Sequence, residues 1–451
     1  MAKKIKDAKM GKKSRNQLPQ EPIELIVSDL SHDGRGVAKW NDKVVFVQNA
    51  LPGEKVMAKL NRKTRNFNEA LAVEILESSP DRVTPKCQFY TVCNGCSMMH
   101  LHEDKQISFK FNTLKNNFHK MSHVEPAEWI SPLTDSHWNY RRRARLSVKW
   151  VIAKEKVLVG FREKNGRFVA DMDHCLILEK TLADLIKPLA EMFATLSIKA
   201  FIPQVECSMG ESATSLIIRH MKPLSDNDLA VIKEFAKAHQ LQIYLQSKGP
   251  KTIQAIENYS EPLSFDIESF GLTYEFLPND FIQVNQRMNE KMITQALNAM
   301  EIQSSDVVLD LFCGLGNFTL PMAQKAMSVV GVEGDTQLVE RAKHNASINQ
   351  LSNVTFYEAD LTKEQDNSEW FKQPFTKVLI DPPRSGAWEI LPLIAQTAAK
   401  TLIYVSCHPA SLARDTDRLV NELGFTLIKA GVMDMFPHTS HVESMAIFTR
   451  P

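Results

Sequence analysis

The sequence has no run of about 18 apolar residues, so it offers no segment that would cross a membrane as a helix. Cysteine is scarce, with seven residues unevenly spaced over 451, which argues against a disulfide framework and favours the cytoplasm. No internal repeat is apparent. The composition, 43% hydrophobic and 24% charged, is that of an ordinary globular protein and provides material for about three domains.

The formal net charge of +1 shows no excess of either sign, but the charges are unevenly distributed. The first nineteen residues contain seven Lys or Arg and one Asp, and no apolar segment follows them. This pattern is not that of a secretory signal. We expect residues 1–19 to form a disordered basic arm that contacts a polyanion. A solvated tail without a specific partner is the alternative.

Residues 20–80 contain short segments in which apolar and polar residues alternate, separated by Gly and Pro. Such segments predict a small antiparallel β-barrel. Between two of them lies Asn61-Arg-Lys-Thr-Arg-Asn-Phe67, which combines basic residues with an aromatic ring. Basic side chains bind phosphates and an aromatic ring can stack on a base, so this hairpin is a candidate nucleic-acid contact. A solvated hairpin is the alternative.

Residues 81–280 mix strand-like and helix-like patterns, which predicts a central α+β domain. Four arginines fall within five positions near its middle, and they are Arg141, Arg142, Arg143 and Arg145. This density is too high for a single buried face, so the pattern favours contact with phosphates. An acidic partner within the protein is the alternative.

Three cysteines cluster in the same region with the spacing Cys87-x5-Cys93-x2-Cys96, and Cys175 is a candidate fourth. Three clustered cysteines with one remote one are a known pattern for iron–sulfur clusters. Tetrahedral thiolate sites suit zinc as well, so the spacing leaves both open. Cys207 and Cys313 then remain as packing residues.

Residues 281–451 alternate between short apolar runs and amphipathic segments such as Thr336–Gln350. The runs are Val307–Leu311, Ser328–Val332, Asn353–Phe356, Lys377–Ile380 and Thr401–Val405. This alternation predicts an α/β fold in which helices cover both faces of a parallel sheet.

Ligands of such sheets bind at the carboxyl ends of the strands. The five predicted strands end at polar or reactive residues, which are Asp310 with the loop to Asn317, Glu333, Asp360, Asp381 and Cys407. Glycines 314 and 316 would let the backbone approach a ligand, and Glu333 could accept both hydroxyls of a ribose. The third glycine of a dinucleotide fingerprint is missing, and Asp310 would repel phosphates. A cofactor with a ribose and a positive centre, such as S-adenosylmethionine, therefore fits better than a nicotinamide dinucleotide.

Cys407 follows a predicted strand within Val405-Ser-Cys-His-Pro409. Twenty-six positions earlier another strand ends in Asp381-Pro-Pro-Arg384, and thirty-six positions later comes Glu443. A thiol at a strand end, a rigid turn with a carboxylate and a late acid indicate a nucleophile, a substrate clamp and a base. A thiol nucleophile needs to be ionised, so we expect its surroundings to lower its pKa.

Five motifs together resemble the uracil-C5 RNA methyltransferases. They are Phe281-Ile-Gln-Val-Asn285, the loop from Asp310 to Asn317, Asp381-Pro-Pro-Arg384, Ser406-Cys-His-Pro409 and His441-Val-Glu-Ser-Met445. The resemblance implies a Rossmann-like class I methyltransferase domain at 281–451, after a central α+β domain that carries an iron–sulfur cluster. The N-terminal barrel resembles the OB-like TRAM barrel of the branch that methylates 23S ribosomal RNA at uracil 1939. A cytoplasmic monomer that acts on 23S rRNA is the expectation.

The same resemblance assigns roles to residues. Cys407 would add to carbon 6 of the uracil, and Glu443 would remove the proton from carbon 5. The positions that match the family's cofactor and substrate pocket are Gln283, Phe312, Asn317, Glu333, Asp360 and Asp381. It also shifts the expectation for Cys87, Cys93, Cys96 and Cys175 from zinc to a [4Fe–4S] cluster.

Three positions depart from related patterns. His408 stands where the family usually has Asn, and Asp360 stands where some members have Asn. Arg384 replaces the aromatic residue that follows Asp-Pro-Pro in amino-group methyltransferases, which favours methylation of carbon. Uracil methylation at another rRNA or tRNA position, and a ribosome-assembly factor without catalysis, remain alternatives.

Overall fold

A computed structural model of the chain describes residues 18–19, 21–164, 166–363, 365 and 368–451. Apart from Leu18 and Pro19, the predicted basic arm at residues 1–19 lies outside the described residues. The chain divides into two compact units, Met1–Thr84 with His100–His102, and Pro85–Met99 with Glu103–Pro451. Within the described ranges, none of the helices combines the length and apolar content needed to cross a bilayer.

The first unit contains a closed five-stranded barrel with the strand order β1-β2-β3-β5-β4. Its strands are β1 (Ile23–Leu30), β2 (Gly36–Trp40), β3 (Lys43–Gln48), β4 (Lys55–Lys63) and β5 (Phe67–Glu77). The barrel was predicted, but the prediction that it is wholly antiparallel is wrong, because β3 and β5 pair in parallel. Alternate side chains such as Leu25 and Val27 fill the interior, since successive residues of a strand point to opposite faces.

The second unit begins with the cysteine-rich segment, α1 (Glu103–Asn117) and the two-residue strand β6 (Glu128–Trp129). A six-stranded sheet of order β12-β11-β10-β9-β7-β8 follows. Its strands are β7 (Arg143–Val151), β8 (Lys156–Gly160), β9 (Gln204–Met209), β10 (Thr214–Arg219), β11 (Leu241–Gln246) and β12 (Ile253–Ala255). Helices α2 (Lys180–Asp184), α3 (Ile186–Thr195) and α4 (Asp226–Ala238) accompany it, and β13 (Leu263–Ile267) and β14 (Leu272–Phe276) form a separate hairpin.

The remaining elements build an eight-stranded sheet of order β17-β16-β15-β18-β19-β21-β20-β6. Its strands are β15 (Val307–Leu311), β16 (Ser328–Glu333), β17 (Val354–Glu358), β18 (Lys377–Ile380), β19 (Thr401–Ser406), β20 (Thr426–Met433) and β21 (Glu443–Thr449). The helices are α5 (Gln286–Met300), α6 (Thr319–Ala323), α7 (Thr336–Ile348), α8 (Leu391–Gln396) and α9 (Pro409–Asn421). Two apolar clusters occupy the two sides of this sheet, one with Leu309 and one with Val308.

The five predicted strands β15 to β19 are parallel, as their continuous apolar runs indicated. The prediction of an entirely parallel sheet is wrong for β21, which enters antiparallel between β19 and β20. The strand order places β15 in the middle of the five parallel strands, where the connections to its two neighbours β16 and β18 diverge. Ligands of such sheets bind at this switch point, beyond the carboxyl ends of the strands.

Candidate active site and cysteine cavity

Cys407 and Glu443 are brought together by the antiparallel register of β19 and β21. Ser406, the last residue of β19, pairs with Ser444, and the Ser444 hydroxyl donates a 3.0 Å hydrogen bond to the Ser406 carbonyl. Cys407 follows Ser406 and Glu443 precedes Ser444, so the two side chains leave neighbouring strands at one edge of the sheet. A thiol and a carboxyl group that are thirty-six positions apart in the sequence thus share one site.

The electrostatic surroundings of Cys407 oppose ionisation of its thiol. Burial, together with the nearby carboxyl groups of Glu443 and Asp381, raises the pKa of Cys407 to about 11, and Arg384 partly offsets this. The expectation of a lowered pKa is therefore wrong for the protein without substrate. The main reason is burial, which disfavours the charged thiolate, and the carboxyl groups of Glu443 and Asp381 add to the effect.

The two carboxyl groups near the thiol also hold their protons tightly. Burial raises the pKa of Glu443 well above its usual range, with a further contribution from Asp381. Burial raises the pKa of Asp381 to about 7. A carboxyl group with a raised pKa is a stronger base once it is ionised, which suits removal of a proton from carbon.

His408 has a structural role that explains how it can replace Asn. It is the N-cap of α9, and its Nδ1 accepts a 3.2 Å hydrogen bond from the backbone N–H of Ser411. Asn is a preferred N-cap residue because its side-chain oxygen accepts the same kind of bond. The substitution therefore preserves the capping of the helix that begins directly after Cys407.

The loop after β15 has the backbone conformation expected of a ligand-binding turn. Phe312, Gly314 and Gly316 all have positive φ angles, of 63°, 55° and 94°. A Cβ atom added to Gly314 would meet no other atom within 4 Å, so open space lies beside this backbone. The loop can therefore accept a ligand at close range, and a non-glycine residue in the strained conformation of Phe312 is typical of functional sites.

Glu333, at the end of β16, is fixed beside this loop. Its Oε2 accepts a 3.1 Å hydrogen bond from the N–H of Gly314, and its Oε1 accepts bonds of 2.7 and 3.1 Å from the N–H groups of Gly334 and Asp335. The carboxylate is only partly buried. It is thus held in one orientation, and the predicted contact of Glu333 with ribose hydroxyls stays a prediction.

Asp310 places a buried carboxyl group at the same end of β15. Burial raises its pKa to about 8, and Asp381 and Glu333 add to the effect, whereas a 2.5 Å hydrogen bond from Thr319 opposes it. Its Oδ1 atom is buried and has no hydrogen-bond partner among the described residues. A buried, incompletely paired carboxyl group next to an open glycine loop fits a ligand with a positive centre, as S-adenosylmethionine has.

The other predicted pocket residues lie near these elements with different contacts. Asn317 exchanges two amide hydrogen bonds of 2.8 and 2.9 Å with Asn289 of α5. Gln283 precedes α5, and its backbone carbonyl accepts a 3.0 Å bond from Arg142. Asp360 is exposed, and its hydrogen bond with Lys363, then that with Thr362, lowers its pKa to about 2.

The four predicted cluster ligands line one cavity of about 400 Å³. They are Cys87, Cys93, Cys96 and Cys175, and all four are free thiols. Burial raises the pKa of each, and neighbouring thiols raise the pKa values of Cys93, Cys96 and Cys175 further. Among the described residues, no group of three or more His, Cys, Asp or Glu side chains is arranged to hold a single metal ion.

These two observations bear on what the cavity could hold. A zinc ion needs four sulfur atoms at about 2.3 Å, hence thiols in mutual contact. A cavity of about 400 Å³ with thiols around its wall has room for a larger group. Four thiols that share one buried site would be stabilised as thiolates by a group that carries iron, so the donor set fits a cluster.

The four clustered arginines have different environments, and only part of the phosphate hypothesis survives. Arg142 is buried, with Nε donating to the carbonyl of Gln283 and Nη1 to Gln286 at 2.9 Å. Arg143 donates to the carbonyls of Asn279 and Asp280. These two therefore connect β7 to the segment before α5 and are not free for phosphates, whereas the Arg145 side chain is 67% exposed.

Sequence reasoning missed the segment that joins β20 to β21 and its contacts with α1. Lys110 and Gln106 of that helix are buried against Asp434 and His438. A lysine within a polar helix carries no signal of burial in a single sequence. The repeated spacing of four residues that places Gln106 and Lys110 on one helix face with the apolar Leu114 was the available hint.

Comparison with known proteins agrees with this geometry. A family model described as tRNA (Uracil-5-)-methyltransferase matches residues 102–450, and a TRAM domain model matches residues 20–73. The 23S rRNA (uracil(1939)-C(5))-methyltransferases RlmD of Stenotrophomonas maltophilia strain K279a and Xanthomonas axonopodis pv. citri strain 306 are each 48% identical over 441 residues. Each alignment covers 97% of this chain and 99% of the relative.

A solved structure has the same fold. The tRNA (uracil-54, C5)-methyltransferase of Pyrococcus abyssi, crystallised with S-adenosyl-L-homocysteine, superposes with a TM-score of 0.72 at 23% identity. The match covers 94% of this chain and 99% of that one. The chain therefore belongs to the RNA uracil-5-methyltransferase family, as an enzyme with a Rossmann-like catalytic fold preceded by a TRAM barrel.

Proposed function

We propose that this protein methylates carbon 5 of uracil 1939 in 23S rRNA, with S-adenosylmethionine as the methyl donor. The observation that carries the proposal is the juxtaposition of Cys407 and Glu443 at the strand ends, on the same edge of the sheet as the loop of Asp310 and Gly314. The relatives that match over nearly the full length are named for this activity. The proposal includes a cytoplasmic location and a monomeric enzyme.

Cys407 starts the reaction because carbon 5 of uracil is too weak a nucleophile to take a methyl group unaided. The thiolate of Cys407 forms a bond to carbon 6, and the electron pair of the C5–C6 double bond moves towards O4 as an enolate. Carbon 5 then takes the methyl group that a bound S-adenosylmethionine supplies, and the cofactor's methyl–sulfur bond breaks with its electrons on the sulfur. The products at this point are S-adenosylhomocysteine and a methylated pyrimidine joined to Cys407.

Glu443 completes the reaction by removing the proton from carbon 5. The electrons of that C–H bond reform the C5–C6 double bond, and the bond between carbon 6 and sulfur breaks to release Cys407 as a thiolate. The raised pKa of Glu443 favours the transfer, because the carboxylate then accepts a proton readily. The Arg384 cation offsets part of the negative charge near Cys407 and so favours its thiolate.

The barrel supports the assignment of an RNA substrate. Its β4–β5 hairpin presents basic residues, of which the Arg62 side chain is 64% exposed. Phe67 packs edge-on against Phe46 at 5.4 Å and is only partly buried. We infer that this hairpin binds the RNA backbone through its basic side chains, since charge provides affinity without reading the base.

The cysteine cavity is proposed to hold a [4Fe–4S] cluster, bound by Cys87, Cys93, Cys96 and Cys175. The supporting observation is that all four thiols line one cavity. The methyl transfer needs no electron, so the role of the cluster would be structural. It would link the cysteine-rich segment to the central region and shape contacts with RNA.

The test is to map 5-methyluridine in rRNA and tRNA from cells with and without this protein. Loss of the methyl group at position 1939 of 23S rRNA alone, restored by the intact gene but not by Cys407→Ala, is the expected result. Persistence of that methyl group with loss at another rRNA or tRNA position would transfer the assignment to the alternative substrate. Restoration by Cys407→Ala would instead indicate an assembly factor.

A further inference from the structure

The segment Asp434–His441 connects β20 to β21 and leads directly to Glu443. It lacks regular secondary structure, yet Asp434 and His438 are each 1% exposed and Met435 is fully buried. Loops usually lie on the surface because their backbone groups need partners. Buried polar groups in this loop therefore require specific contacts, and α1 provides them.

Lys110 is the first of these contacts. Its Nζ donates a 2.6 Å hydrogen bond to Oδ1 of Asp434 and a 2.9 Å bond to the backbone carbonyl of Phe436. The side chains of the ion pair are 0% and 1% exposed. One ammonium group thus ties two points of the segment to α1.

Gln106, one helical turn earlier, holds the next part of the segment. Its Oε1 accepts a 2.9 Å hydrogen bond from the backbone N–H of His438, and its Nε2 lies 3.2 Å from Nδ1 of the same residue. Residues four positions apart lie on one face of a helix. Lys110 and Gln106 therefore form one row that fixes the path of the segment from Asp434 to His438.

A lysine in this position is costly unless it has a function or a partner. Burial lowers the pKa of Lys110, and Asp434 counteracts the effect. Buried ion pairs can often be replaced by apolar side chains without loss of stability, so their presence is weak evidence for a role in folding alone. The bond to the Phe436 carbonyl cannot be made by an apolar residue.

We infer that Lys110 is a positioning residue for Glu443, acting through the segment Asp434–His441. This inference rests on the proposed function, because it assumes that Glu443 is the base. Glu443 is the first residue of β21, so the path of the preceding segment, together with the register of β21 on β19 and β20, sets where its carboxyl group lies relative to the pyrimidine. A displacement of about 1 Å can reduce a rate by about a hundredfold.

A misplaced Glu443 and a general loss of stability should have opposite effects on the amount of covalent protein–RNA complex. The base acts after the methyl transfer, so a misplaced Glu443 slows release of the product but not formation of the bond to Cys407. The methylated RNA should therefore remain attached to the protein. A variant that is merely unstable would form less of this covalent complex.

The experiment compares Lys110→Met with the intact enzyme, using a 23S rRNA transcript that contains uracil 1939 and S-adenosylmethionine. Denaturing electrophoresis measures the fraction of RNA bound covalently at steady state, and methyl incorporation measures turnover. We expect turnover to fall by about ten- to a hundredfold while the covalent fraction rises. Lys105→Met, which changes an exposed lysine of the same helix, should leave the covalent fraction unchanged.

If Lys110→Met fails to fold, Lys110→Met/Asp434→Leu removes both charges and still lacks the bond to Phe436. A folded variant with unchanged turnover, or with turnover and covalent fraction falling together, would overturn the inference. Failure of the proposed function is distinguishable, since the intact enzyme would then form no covalent complex even with a 5-fluorouridine transcript.

Discussion

The Ser444 hydroxyl donates a hydrogen bond to the Ser406 carbonyl, and this pair closes the register of β19 and β21. The next residue on one strand is Cys407, and the preceding residue on the other is Glu443. The proposed reaction therefore depends on β21, a strand that runs antiparallel to its neighbours. A parallel strand in the place of β21 would begin at the opposite edge of the sheet. Its first residue would then lie far from Cys407.

Turnover should increase with pH, because the proposed mechanism requires both Cys407 and Glu443 to lose a proton. The pKa of Cys407 is raised to about 11 and that of Glu443 is raised as well. As long as ionisation of the Cys407 thiol limits the rate, kcat/KM should rise by up to about tenfold per pH unit between about pH 7 and about 9. The measurement is methyl incorporation under single-turnover conditions at a series of pH values. A flat profile over this range would contradict the raised pKa of the thiol.

Arg384→Gln should move that profile to higher pH. The Arg384 cation lowers the pKa of Cys407. Without it, burial and the carboxyl groups of Glu443 and Asp381 should raise this pKa further. At a fixed pH of about 8 the rate should then fall, and higher pH should recover part of it. Arg145→Gln, which changes an exposed arginine of β7, is the control and should keep the original profile. A rate loss in Arg384→Gln that is equal at all pH values would indicate a different role.

Glu443→Gln should trap the methylated RNA on the protein. Without a base at this position, the bond from Cys407 to carbon 6 forms but the carbon-5 proton stays. Denaturing electrophoresis should show a stable protein–RNA complex that contains the methyl label. The double variant Cys407→Ala/Glu443→Gln should show none. Normal product release by Glu443→Gln would remove this residue from the mechanism.

Asp310→Asn should make the ligand-free protein more stable at alkaline pH. The pKa of Asp310 is raised to about 8 from 3.8, so between these values the native state keeps a proton that the unfolded state has lost. The stabilisation of the native state by this proton is complete below about pH 4 and is lost as the pH rises through about 8. Thermal unfolding should show the two proteins alike near pH 4, with the variant more stable near pH 8. S-adenosylmethionine should stabilise the variant less, because its sulfonium then lacks the buried carboxylate.

Cys96→Ala should abolish binding of the proposed cluster, whereas Cys207→Ala should not. Cys96 lines the shared cavity, and Cys207 is buried in the same apolar core but does not line it. Iron and sulfide should accompany anaerobically purified protein and be lost only from the first variant. Stoichiometric zinc without iron in the intact protein would contradict the cluster assignment.

The local pattern of the sequence predicted much of the catalytic sheet. The apolar runs at Val307–Leu311 and Lys377–Ile380 are the strands β15 and β18, with the predicted bounds. The amphipathic stretch from Thr336 ends two residues before the predicted limit, as α7. Residues buried on both faces must be apolar throughout, so parallel strands are recognisable without knowledge of their partners. The polar residues at the carboxyl ends of these strands were predicted from the same pattern of apolar runs.

The direction of β21, the burial of Lys110 and the electrostatics of Cys407 were decided by the tertiary structure alone. Each depends on which residues approach from distant parts of the chain, and a local pattern does not encode that. The sequence by itself determined the alternation of strands and helices and the chemical groups at the strand ends, because periodicity and residue type are local properties. The pKa of the thiol depends on burial and on neighbouring charges, and only the folded chain brings Glu443 and Asp381 to Cys407.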